Sequence, residues 1–519
     1  MSSRTQVVAA LDQGTSSTRV ILFNKSGDSL FTYQVELPQV FPQPGWVEEK
    51  PEDISETSKK CLDAASAWAD EHDCDIACLG VTNQRETTLV WDRATGRPFH
   101  NAVVWLDTRT KDIVESYKAT AASEGKLSEA EIQRLSGLPL ATYFSALKLK
   151  WLIDNVPEVA AACAEGRCAF GTVDTWLIWC LSGGRVHVTD VTNASRTMLM
   201  NIETLEWDDA LCANFGIPKS VLPRICSSSE VYGAVGCGCA LDGLPISGCL
   251  GDQQGALVGQ LCLAPGLAKS TYGTGCFMLR NMGPKPVFSS HGLITTVGYK
   301  LGPQAVPHYA LEGSVAIAGA AVQWLRDNLC VISKPSDIQD YARTVEDTGG
   351  IYFVPAFSGL FAPRWRPDAR GVVVGITQFT TRAHLCRAVL EATCFQTLEV
   401  LQAMECDAAE MEAKTGVRPK PLLELRVDGG MTKSDIIVQL QADLLGIPAV
   451  RPEMRETTAL GAAIAAGLAV GVWKLSEDGT NVEGIRRSCS TFNPTTEQEE
   501  REARLERWKM AVERSLNWV

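Results

Sequence analysis

The chain has 519 residues, of which 45% are hydrophobic, so it can bury more than one core and is long enough for two large lobes. Its 48 Lys and Arg residues against 61 Asp and Glu residues give a net charge of -13, spread along the chain without a long block of one sign. Because no basic stripe exists to displace counterions from a phosphate backbone, nucleic acid is excluded as a predicted partner.

The 18 cysteines and six histidines are numerous enough for metal sites. Pairs such as Cys74/Cys78 and Cys237/Cys239, however, have no second ligand pair at the spacing of a zinc site. We therefore expect reduced and mostly buried thiols. Three polar residues interrupt any apolar signal region near the start, and a reducing cytosol suits these thiols, so the expected location is cytoplasmic.

The first predicted element covers residues 5–24: an apolar strand, a tight turn rich in hydroxyl residues, then Arg19 and a second apolar strand. Backbone N–H groups and hydroxyls in such a turn can donate to phosphate oxygens, and Asp12 can reach a hydrated Mg²⁺. Gly14 lets the main chain approach a ligand without a Cβ atom. An ordinary turn between two strands has the same composition, so this segment alone favours neither interpretation.

Near the middle of the chain, a polar turn at 251–254 follows an apolar strand end and carries Asp252. Half a chain after the first turn, residues 266–280 again place Gly-Thr between two apolar strands. Two phosphate-type hairpins, one in each half, predict a duplicated two-lobe protein with its nucleotide in the cleft. A third segment passes from a strand through Asp428 and two glycines into a predicted helix at 433–445, where a flat ring or a phosphate can approach the backbone.

The longest uncharged apolar run, residues 459–473, is shorter than the roughly 20 residues that a bilayer requires. We predict a buried helix whose small side chains let another backbone pack closely. Residues 497–518 predict a charged amphipathic helix. Nothing in the sequence requires a membrane.

Three segments in this order, 12–15, 273–274 and 428–430, resemble the two phosphate hairpins and the adenosine element of the actin-like ATPase superfamily. Residues 143–155 and 371–391 are similar to the two signatures of its carbohydrate kinase family. Further segments at 82–88, 170–176, 192–197 and 251–254 resemble the members of that family that phosphorylate glycerol. The resemblance runs from about residue 7 to about residue 473.

The resemblance implies an α/β fold of two actin-like (ribonuclease H-like) lobes with a central catalytic cleft. The N-terminal lobe, 1–260, is expected to bind glycerol, and the C-terminal lobe, 261–519, to bind the nucleotide. The implied reaction is Mg²⁺-dependent transfer of the γ-phosphate of ATP to glycerol, giving sn-glycerol 3-phosphate and ADP. The family also implies a homodimer or homotetramer.

Arg85 and Glu86 form a pair that can donate to and accept from neighbouring hydroxyls, although neighbouring charges of this kind are also common as surface ion pairs of little energetic worth. Asp252 is the expected catalytic base, because a primary alcohol that attacks phosphorus must lose its proton. The alternative role for Asp252 is the N-cap of a helix at 254–260, and the two roles are compatible. The resemblance assigns to glycerol the residues Arg85, Glu86, Trp105, Tyr143, Asp252, Gln253 and Phe277.

To ATP the resemblance and the turn chemistry assign Thr15, Ser16, Ser17, Arg19, Thr274, Gly319, Gln323, Gly430 and Ser434. The metal ligands are expected to be Asp12 and Asp252, since two carboxylates beside a triphosphate repel one another unless a divalent cation lies among them.

Three segments depart from the family pattern. Ser434 stands where many members carry Asn, and Arg364 and Arg366 exchange acid for base. The loop at 236–244 lacks the arginine with which bacterial members bind fructose 1,6-bisphosphate, so we expect no inhibition by that ligand.

Two alternatives stay open at this point. The first is another small polyol or sugar kinase on the same scaffold, and the second, more distant, is a non-metabolic actin-like ATPase.

Overall fold

The computed structural model describes residues 4–416, 420–486 and 488–519. Strands and helices alternate throughout these residues. The strands are β1 Thr5–Gln13, β2 Ser17–Phe23, β3 Ser29–Glu36, β4 Glu48–Glu49, β5 Cys74–Asn83, β6 Leu89–Asp92, β7 Ala102–Val103, β8 Cys168–Gly171, β9 Val188–Asp190, β10 Arg224–Cys226, β11 Ser229–Ala234, β12 Pro245–Gly251, β13 Ala268–Tyr272, β14 Cys276–Gly283, β15 Ile294–Tyr299, β16 His308–Val315, β17 Tyr352–Val354, β18 Val372–Val374, β19 Leu425–Asp428, β20 Ala449–Pro452 and β21 Cys489–Phe492.

The α-helices are α1 Pro51–Glu71, α2 Lys111–Thr120, α3 Glu129–Ser136, α4 Ser145–Asn155, α5 Pro157–Ala164, α6 Val173–Leu181, α7 Val191–Ala194, α8 Asp209–Phe215, α9 Asp252–Gly259, α10 Gly319–Asp327, α11 Asp337–Ala342, α12 Arg382–Thr415, α13 Asp435–Leu445, α14 Thr457–Ala469 and α15 Gln498–Glu513. Two 3-10 helices cover Lys219–Val221 and Gly430–Lys433. None of the helices in the described residues combines the length and apolarity needed to cross a membrane.

The first sheet has six strands in the order β11-β12-β5-β1-β2-β3. β1, β2 and β3 form an antiparallel meander, while β5 and β12 run parallel to β1 on its other side. The central strand β1 is buried from Val7 to Gln13, as expected of a strand covered on both faces. One face packs against α1 and α6, and the other packs against α9 and α14.

The second sheet has seven strands in the order β15-β16-β14-β13-β19-β20-β21. β13, β14 and β16 are antiparallel neighbours, and β19 and β20 run parallel to β13. From β13 outwards this arrangement repeats the first sheet, with β15 added at the edge. The predicted fold class, two α/β lobes of duplicated topology, is therefore confirmed.

Helix α14 lies against the first sheet and against α9 at very short distance. A Cβ atom added to Gly461 would lie 1.9 Å from the carbonyl oxygen of Gly255 in α9, and one added to Gly80 of β5 would lie 2.2 Å from the carbonyl oxygen of Ala462. The prediction of a buried, small-residue helix that another backbone approaches is confirmed, although the helix ends at Ala469 rather than at residue 473.

We expect Gly461→Ala to lower the free energy of unfolding by about 1–3 kcal/mol, because the added methyl group forces α9 and α14 apart in a close-packed core. Chemical denaturation followed by circular dichroism measures this change. Gly430→Ala is the matched control, since its Cβ would meet no atom within 4 Å. Equal midpoints for the two variants would contradict the close approach.

Candidate functional site

Three parallel strands of the first sheet end side by side at one edge. In register, Asp12 of β1 and Leu250 of β12 both pair with Thr82 of β5. The loops that follow these strands carry the hydroxyl turn, the Arg85-Glu86 pair and Asp252. The sheet topology therefore gathers the residues of three distant segments at one place.

The hydroxyl turn is closed by a hydrogen bond of 2.9 Å from the N–H of Gly14 to the carbonyl oxygen of Ser17. Thr15 and Ser17 are partly buried, whereas Ser16 is exposed. The predicted strand-turn-strand at 5–24 is confirmed as β1 and β2. The hydroxyls thus lie at the carboxyl edge of the sheet.

Asp12 is buried, and its Oδ2 receives two contacts from Arg19, at 2.8 Å from Nε and 2.7 Å from Nη2. Burial raises the pKa of Asp12 even though the guanidinium of Arg19 opposes the shift. Nη1 of Arg19 also lies 2.9 Å from Oε2 of Glu456, just before α14. Arg19 therefore joins the first turn to the start of α14.

Arg85 and Glu86 are both buried, so the surface ion-pair alternative is wrong. Arg85 instead binds Glu312 of β16 with both terminal nitrogens, at 2.6 and 2.9 Å. Its Nε atom lies 3.2 Å from Oδ1 of Asp252. A guanidinium of the first lobe is thereby held by a carboxylate of the second sheet.

Glu86 adopts a left-handed backbone conformation, with φ of 61°, which is rare for a residue with a side chain. Its Oε1 lies 2.5 Å from Nε of Arg196, while Oε2 is buried with no hydrogen-bond partner among the described residues. Burial raises the pKa of Glu86 despite the charge of Arg196. A buried acceptor without a partner is costly, so this oxygen is suited to a ligand hydroxyl.

Asp252 is the first residue of α9, and Gly251 is the N-cap. The N-cap alternative for Asp252 is therefore wrong, although its Oδ1 does accept a hydrogen bond of 2.7 Å from the N–H of Gln253. About a third of its side chain (33%) is exposed, so the carboxylate is accessible to solvent. Burial raises the pKa of Asp252, although the charges of Arg85 and Lys269 oppose this shift. The raised pKa makes the carboxylate a better proton acceptor.

Gln253 accepts a short hydrogen bond from Nζ of the buried Lys269 in β13. The same ammonium donates to Oγ1 of Thr271 at 3.0 Å and to the carbonyl oxygen of Phe277 at 3.4 Å. Burial lowers the pKa of Lys269, an effect that nearby carboxylates oppose. Lys269 thus links two of the predicted glycerol residues, Gln253 and Phe277.

Trp105 and Tyr143 lie edge to face, with ring centroids 5.7 Å apart. The indole N–H of Trp105 donates to Oγ1 of Thr15 at 3.0 Å, which places the ring beside the hydroxyl turn. Trp105, Tyr143 and Phe277 are all only partly buried. These aromatic faces are therefore not sealed in a core.

On the second lobe, the turn between β13 and β14 exposes Thr274. Its carbonyl oxygen accepts from the N–H of Ala318 at 2.9 Å, and the N–H of Gly319 donates to the carbonyl oxygen of Gly273 at 3.0 Å. The second hairpin is thus fixed to the start of α10. Gln323 lies exposed one turn further along α10.

The third predicted element passes from β19 into the 3-10 helix and then α13, which begins at Asp435 rather than at residue 433. Gly430 is exposed, and a Cβ atom there would meet nothing within 4 Å, so a flat ring has room to approach. Ser434 is the N-cap of α13, and its buried hydroxyl has no hydrogen-bond partner among the described residues.

Sequence reasoning missed three charged residues that contact the predicted site: Arg196, Lys269 and Glu312. Each is fully buried, and Lys269 and Glu312 lie inside otherwise uncharged strands. A lone charge in a strand of this kind must have a buried partner, and that is the signal that could have found them.

The unusual arginines at 364 and 366 are engaged in ion pairs. Arg364 binds Glu399 of α12 at 2.7 Å, and Arg366 binds Asp368 at 2.6 Å. Glu399 also accepts from the indole N–H of Trp508 in α15 at 2.8 Å. Arg364 therefore fastens this segment to α12, through a glutamate that also binds α15, whereas the ion pair of Arg366 lies within the segment.

Most cysteines are buried, as predicted, and the cysteines in the described part of the chain form no disulfide with one another. The structure brings Asp242 to the Cys237/Cys239 pair. The Asp242 carboxylate, however, accepts the N–H groups of Gly238 and Cys239. Three candidate ligands are one fewer than a tetrahedral structural zinc site requires.

The loop at 236–244 lacks an arginine of its own, as its sequence shows, but Arg185 from a neighbouring segment lies beside it. A Cβ atom on Gly236 would lie 1.8 Å from Nη2 of Arg185. The Nε of Arg185 donates to the carbonyl oxygen of Ser182 at 2.7 Å, which holds this guanidinium against the turn after α6. We still expect equal activity with and without millimolar fructose 1,6-bisphosphate, and a clear inhibition in a coupled assay would contradict that expectation.

Comparison with known proteins places the whole chain within one family. The FGGY family of carbohydrate kinases matches with its N-terminal domain over residues 7–259 and its C-terminal domain over residues 268–470. A glycerol kinase of Nocardia farcinica is 52% identical over 512 residues, covering 99% of both chains. A probable glycerol kinase of Dictyostelium discoideum is 48% identical over 549 residues, covering 99% of this chain and 98% of that protein.

Solved structures agree with this placement. The crystal structure of Plasmodium falciparum glycerol kinase with ADP superposes with a TM-score of 0.90 at 40% identity, covering 99% of this chain and 98% of that one. A gluconate kinase of Lactobacillus acidophilus has a TM-score of 0.82 at 22% identity, covering 98% and 97%, which supports the fold alone.

Proposed function

Because the chain belongs to the FGGY family of carbohydrate kinases, we propose that it transfers the γ-phosphate of ATP to glycerol, giving sn-glycerol 3-phosphate and ADP. The observation that carries the proposal is the buried Arg85-Glu86 pair beside Asp252, at the strand ends that also carry the hydroxyl turn. Full-length identity of about half to several glycerol kinases supports the same substrate.

We propose that Arg85 and Glu86 bind hydroxyls of glycerol while Trp105, Tyr143 and Phe277 cover its carbon skeleton. Gln253, whose side-chain oxygen accepts a hydrogen bond from Lys269, would be a further polar group that contacts glycerol. The polar groups of the site then meet the three hydroxyls of glycerol in a fixed pattern, which is how a small polyol is selected.

Asp252 is the proposed base. Its partly exposed carboxylate would take the proton from the attacking hydroxyl, and the raised pKa that burial gives it favours this step. Arg85, at 3.2 Å from Oδ1, fixes the orientation of the carboxylate. Asp252 thus acts on the attacking hydroxyl of the alcohol.

For the nucleotide we propose Thr15, Ser16, Ser17, Arg19 and Thr274 at the phosphates, where hydroxyl and backbone donors meet the charge that spreads over the γ-oxygens. Gly430 and Ser434 would meet the adenosine, with Gly319 and Gln323 at the start of α10. The N-terminal lobe, 1–260, would hold glycerol, and the C-terminal lobe, 261–519, would hold the nucleotide.

The carboxylates of Asp12 and Asp252 suit Mg²⁺, which prefers one or two carboxylates together with phosphate oxygens and waters. Both contacts from Arg19 go to Oδ2 of Asp12, so we propose Oδ1 as the ligand atom. When bound, Mg²⁺ supplies positive charge that neutralises the phosphates.

We also propose a cytoplasmic location, supported by the predominance of buried thiols, and a homodimer or homotetramer, supported only by the family resemblance.

A panel of polyols in a coupled ADP-release assay with Mg²⁺ tests the substrate. We expect glycerol to give the highest kcat/KM, because the site offers few polar groups and close aromatic walls. A higher kcat/KM for xylulose or gluconate would favour the other sugar kinases. The second alternative, a non-metabolic actin-like ATPase, is excluded because the chain belongs to a family of carbohydrate kinases.

We expect ATP hydrolysis without glycerol to be far slower than glycerol phosphorylation. Water is a competing nucleophile in vast excess, so a kinase of this kind must close around the polyol and exclude water before the transfer. Phosphate release measured with and without glycerol gives the two rates. Comparable rates would contradict polyol-gated transfer.

A further inference from the structure

Five charged side chains form one continuous chain of ion pairs through the site. Asp252 contacts Arg85 at 3.2 Å, and Arg85 binds Glu312 at 2.6 and 2.9 Å. Glu312 contacts Nη2 of Arg196 at 3.2 Å, and Nε of Arg196 contacts Glu86 at 2.5 Å. Two of its three inner residues, Glu312 and Arg196, are not among the residues expected to touch glycerol.

Arg196 is held rigidly in its place. It is fully buried, and its guanidinium lies 5.5 Å from the ring centroid of Phe144 and 5.8 Å from that of Tyr143. It follows α7, whose N-cap Asp190 accepts the N–H groups of Thr192 and Asn193. Arg196 therefore presents a guanidinium of fixed orientation to both carboxylates.

Glu312 is equally constrained, because it lies within β16 and has guanidinium groups on two sides. Burial alone would raise the pKa of Glu312, but the charges of Arg196 and Arg85 lower it to about 2. Glu312 is therefore an anion that both arginines share. It belongs to the second sheet, so the chain of ion pairs joins the two halves of the protein.

These contacts decide which atoms stay available to a substrate. Arg196 occupies Oε1 of Glu86 and leaves Oε2 buried with no hydrogen-bond partner among the described residues. A guanidinium has five N–H donors. Glu312 and Gln254 accept hydrogen bonds from three of those of Arg85, at 2.6, 2.9 and 3.3 Å, and Nε lies 3.2 Å from Asp252 in an ion pair. The second N–H of Nη2 is the one we assign to a hydroxyl.

Resting on the proposed phosphorylation of glycerol, we propose that Arg196 and Glu312 are positioning residues that keep Glu86 and Arg85 apart and aimed at neighbouring hydroxyls of the polyol. Without them, two adjacent side chains of opposite charge have each other as the nearest partner. Their mutual ion pair would use up the donor and the acceptor that the substrate needs.

Arg196→Lys tests this role. Lysine keeps the charge but cannot reach two carboxylates with two nitrogens in one plane. We expect about a tenfold or larger loss of kcat/KM for glycerol, mainly through KM, because a buried charged hydrogen bond is removed. Arg504→Lys is the matched control, since Arg504 pairs with Glu391 at 2.9 Å on the C-terminal helix α15, and we expect it to keep the wild-type value.

A double-mutant cycle separates positioning from a general loss of stability. If Arg196 acts through Glu86, then Arg196→Lys lowers kcat/KM much less in a Glu86→Gln background than in the wild type. We also expect the ratio of kcat/KM for glycerol to that for 1,2-propanediol or 1,3-propanediol to fall more than fivefold in Arg196→Lys for at least one diol. Glu312→Gln, which leaves Arg85 without its bidentate partner, should show the same loss of selectivity.

Additive effects in the cycle, or ratios for both diols that change by less than fivefold, would overturn the positioning role while leaving the proposed function intact. A wild-type protein without glycerol-dependent ADP release would instead overturn the proposed function, and the positioning role with it.

Discussion

Replacing Asp252 by Asn is expected to lower kcat for glycerol phosphorylation by about 10²- to 10⁴-fold, the range that one general base contributes. Asn keeps the size of the side chain and can still accept a hydrogen bond from the N–H of Gln253, but it cannot take up a proton. The substitution also removes the anionic partner of Arg85 at 3.2 Å. Steady-state ADP release with saturating glycerol and Mg·ATP measures the loss.

Glycerol binding to the Asp252→Asn variant should stay measurable by calorimetry, because Glu86 and Arg85 are unchanged. Asp209→Asn is the matched control, since Asp209 is an exposed acid paired with Lys219 at 2.8 Å. Retained turnover in Asp252→Asn would remove this residue as the base, whereas lost binding with lost turnover would indicate a structural role.

The second large effect is expected for Glu86→Gln. We expect kcat/KM for glycerol to fall by about 10- to 100-fold, which corresponds to the binding free energy of one hydrogen bond to a buried charged group. The change removes the anion that faces Arg196 at 2.5 Å and turns one oxygen into a donor. The effect should fall mainly on KM, because Glu86 binds the alcohol without taking part in the transfer.

Glu158→Gln is the control for this change, because Glu158 is an exposed acid paired with Arg97. Thermal unfolding of both variants identifies any loss of folded protein. A Glu86→Gln enzyme with the wild-type KM for glycerol would contradict the assignment of Oε2 as a hydroxyl acceptor.

The sequence was sufficient for the duplicated fold, and three of the segments that it singled out follow strands that lie side by side in the structure. Apolar strands flanking a hydroxyl turn recur once in each half, and the parallel pairing of β1, β5 and β12 follows from the lobe topology. The buried helix α14 was also predictable, since an uncharged run of small residues has no other stable place in a protein of this length.

The buried ion pairs were not predictable, because each depends on distances between strands that are far apart in the chain. Arg85 and Glu312 are separated by 227 positions, and Arg196 and Glu312 by 116. Neighbouring charges such as Arg85 and Glu86 suggest an ion pair with each other. The left-handed backbone at Glu86 instead turns the two side chains toward different partners.

Residue types read locally along the chain also gave wrong expectations for a helix N-cap and for the surroundings of a loop. Asp252 has the residue type of an N-cap, yet Gly251 takes that position and Asp252 begins the helix. The loop at 236–244 lacks its own arginine, but Arg185 approaches it from a neighbouring segment. Such contacts depend on tertiary packing, which local sequence does not encode.

A crystal structure with glycerol, Mg²⁺ and a non-hydrolysable ATP analogue tests the central claim most directly. We predict an oxygen of Asp252 about 2.6–3.2 Å from a terminal hydroxyl of glycerol, the distance over which a general base takes a proton, with that hydroxyl in line with the γ-phosphorus. A complex in which the carboxylate of Asp252 points away from glycerol, or the nucleotide lies outside the cleft between the two sheets, would contradict the account.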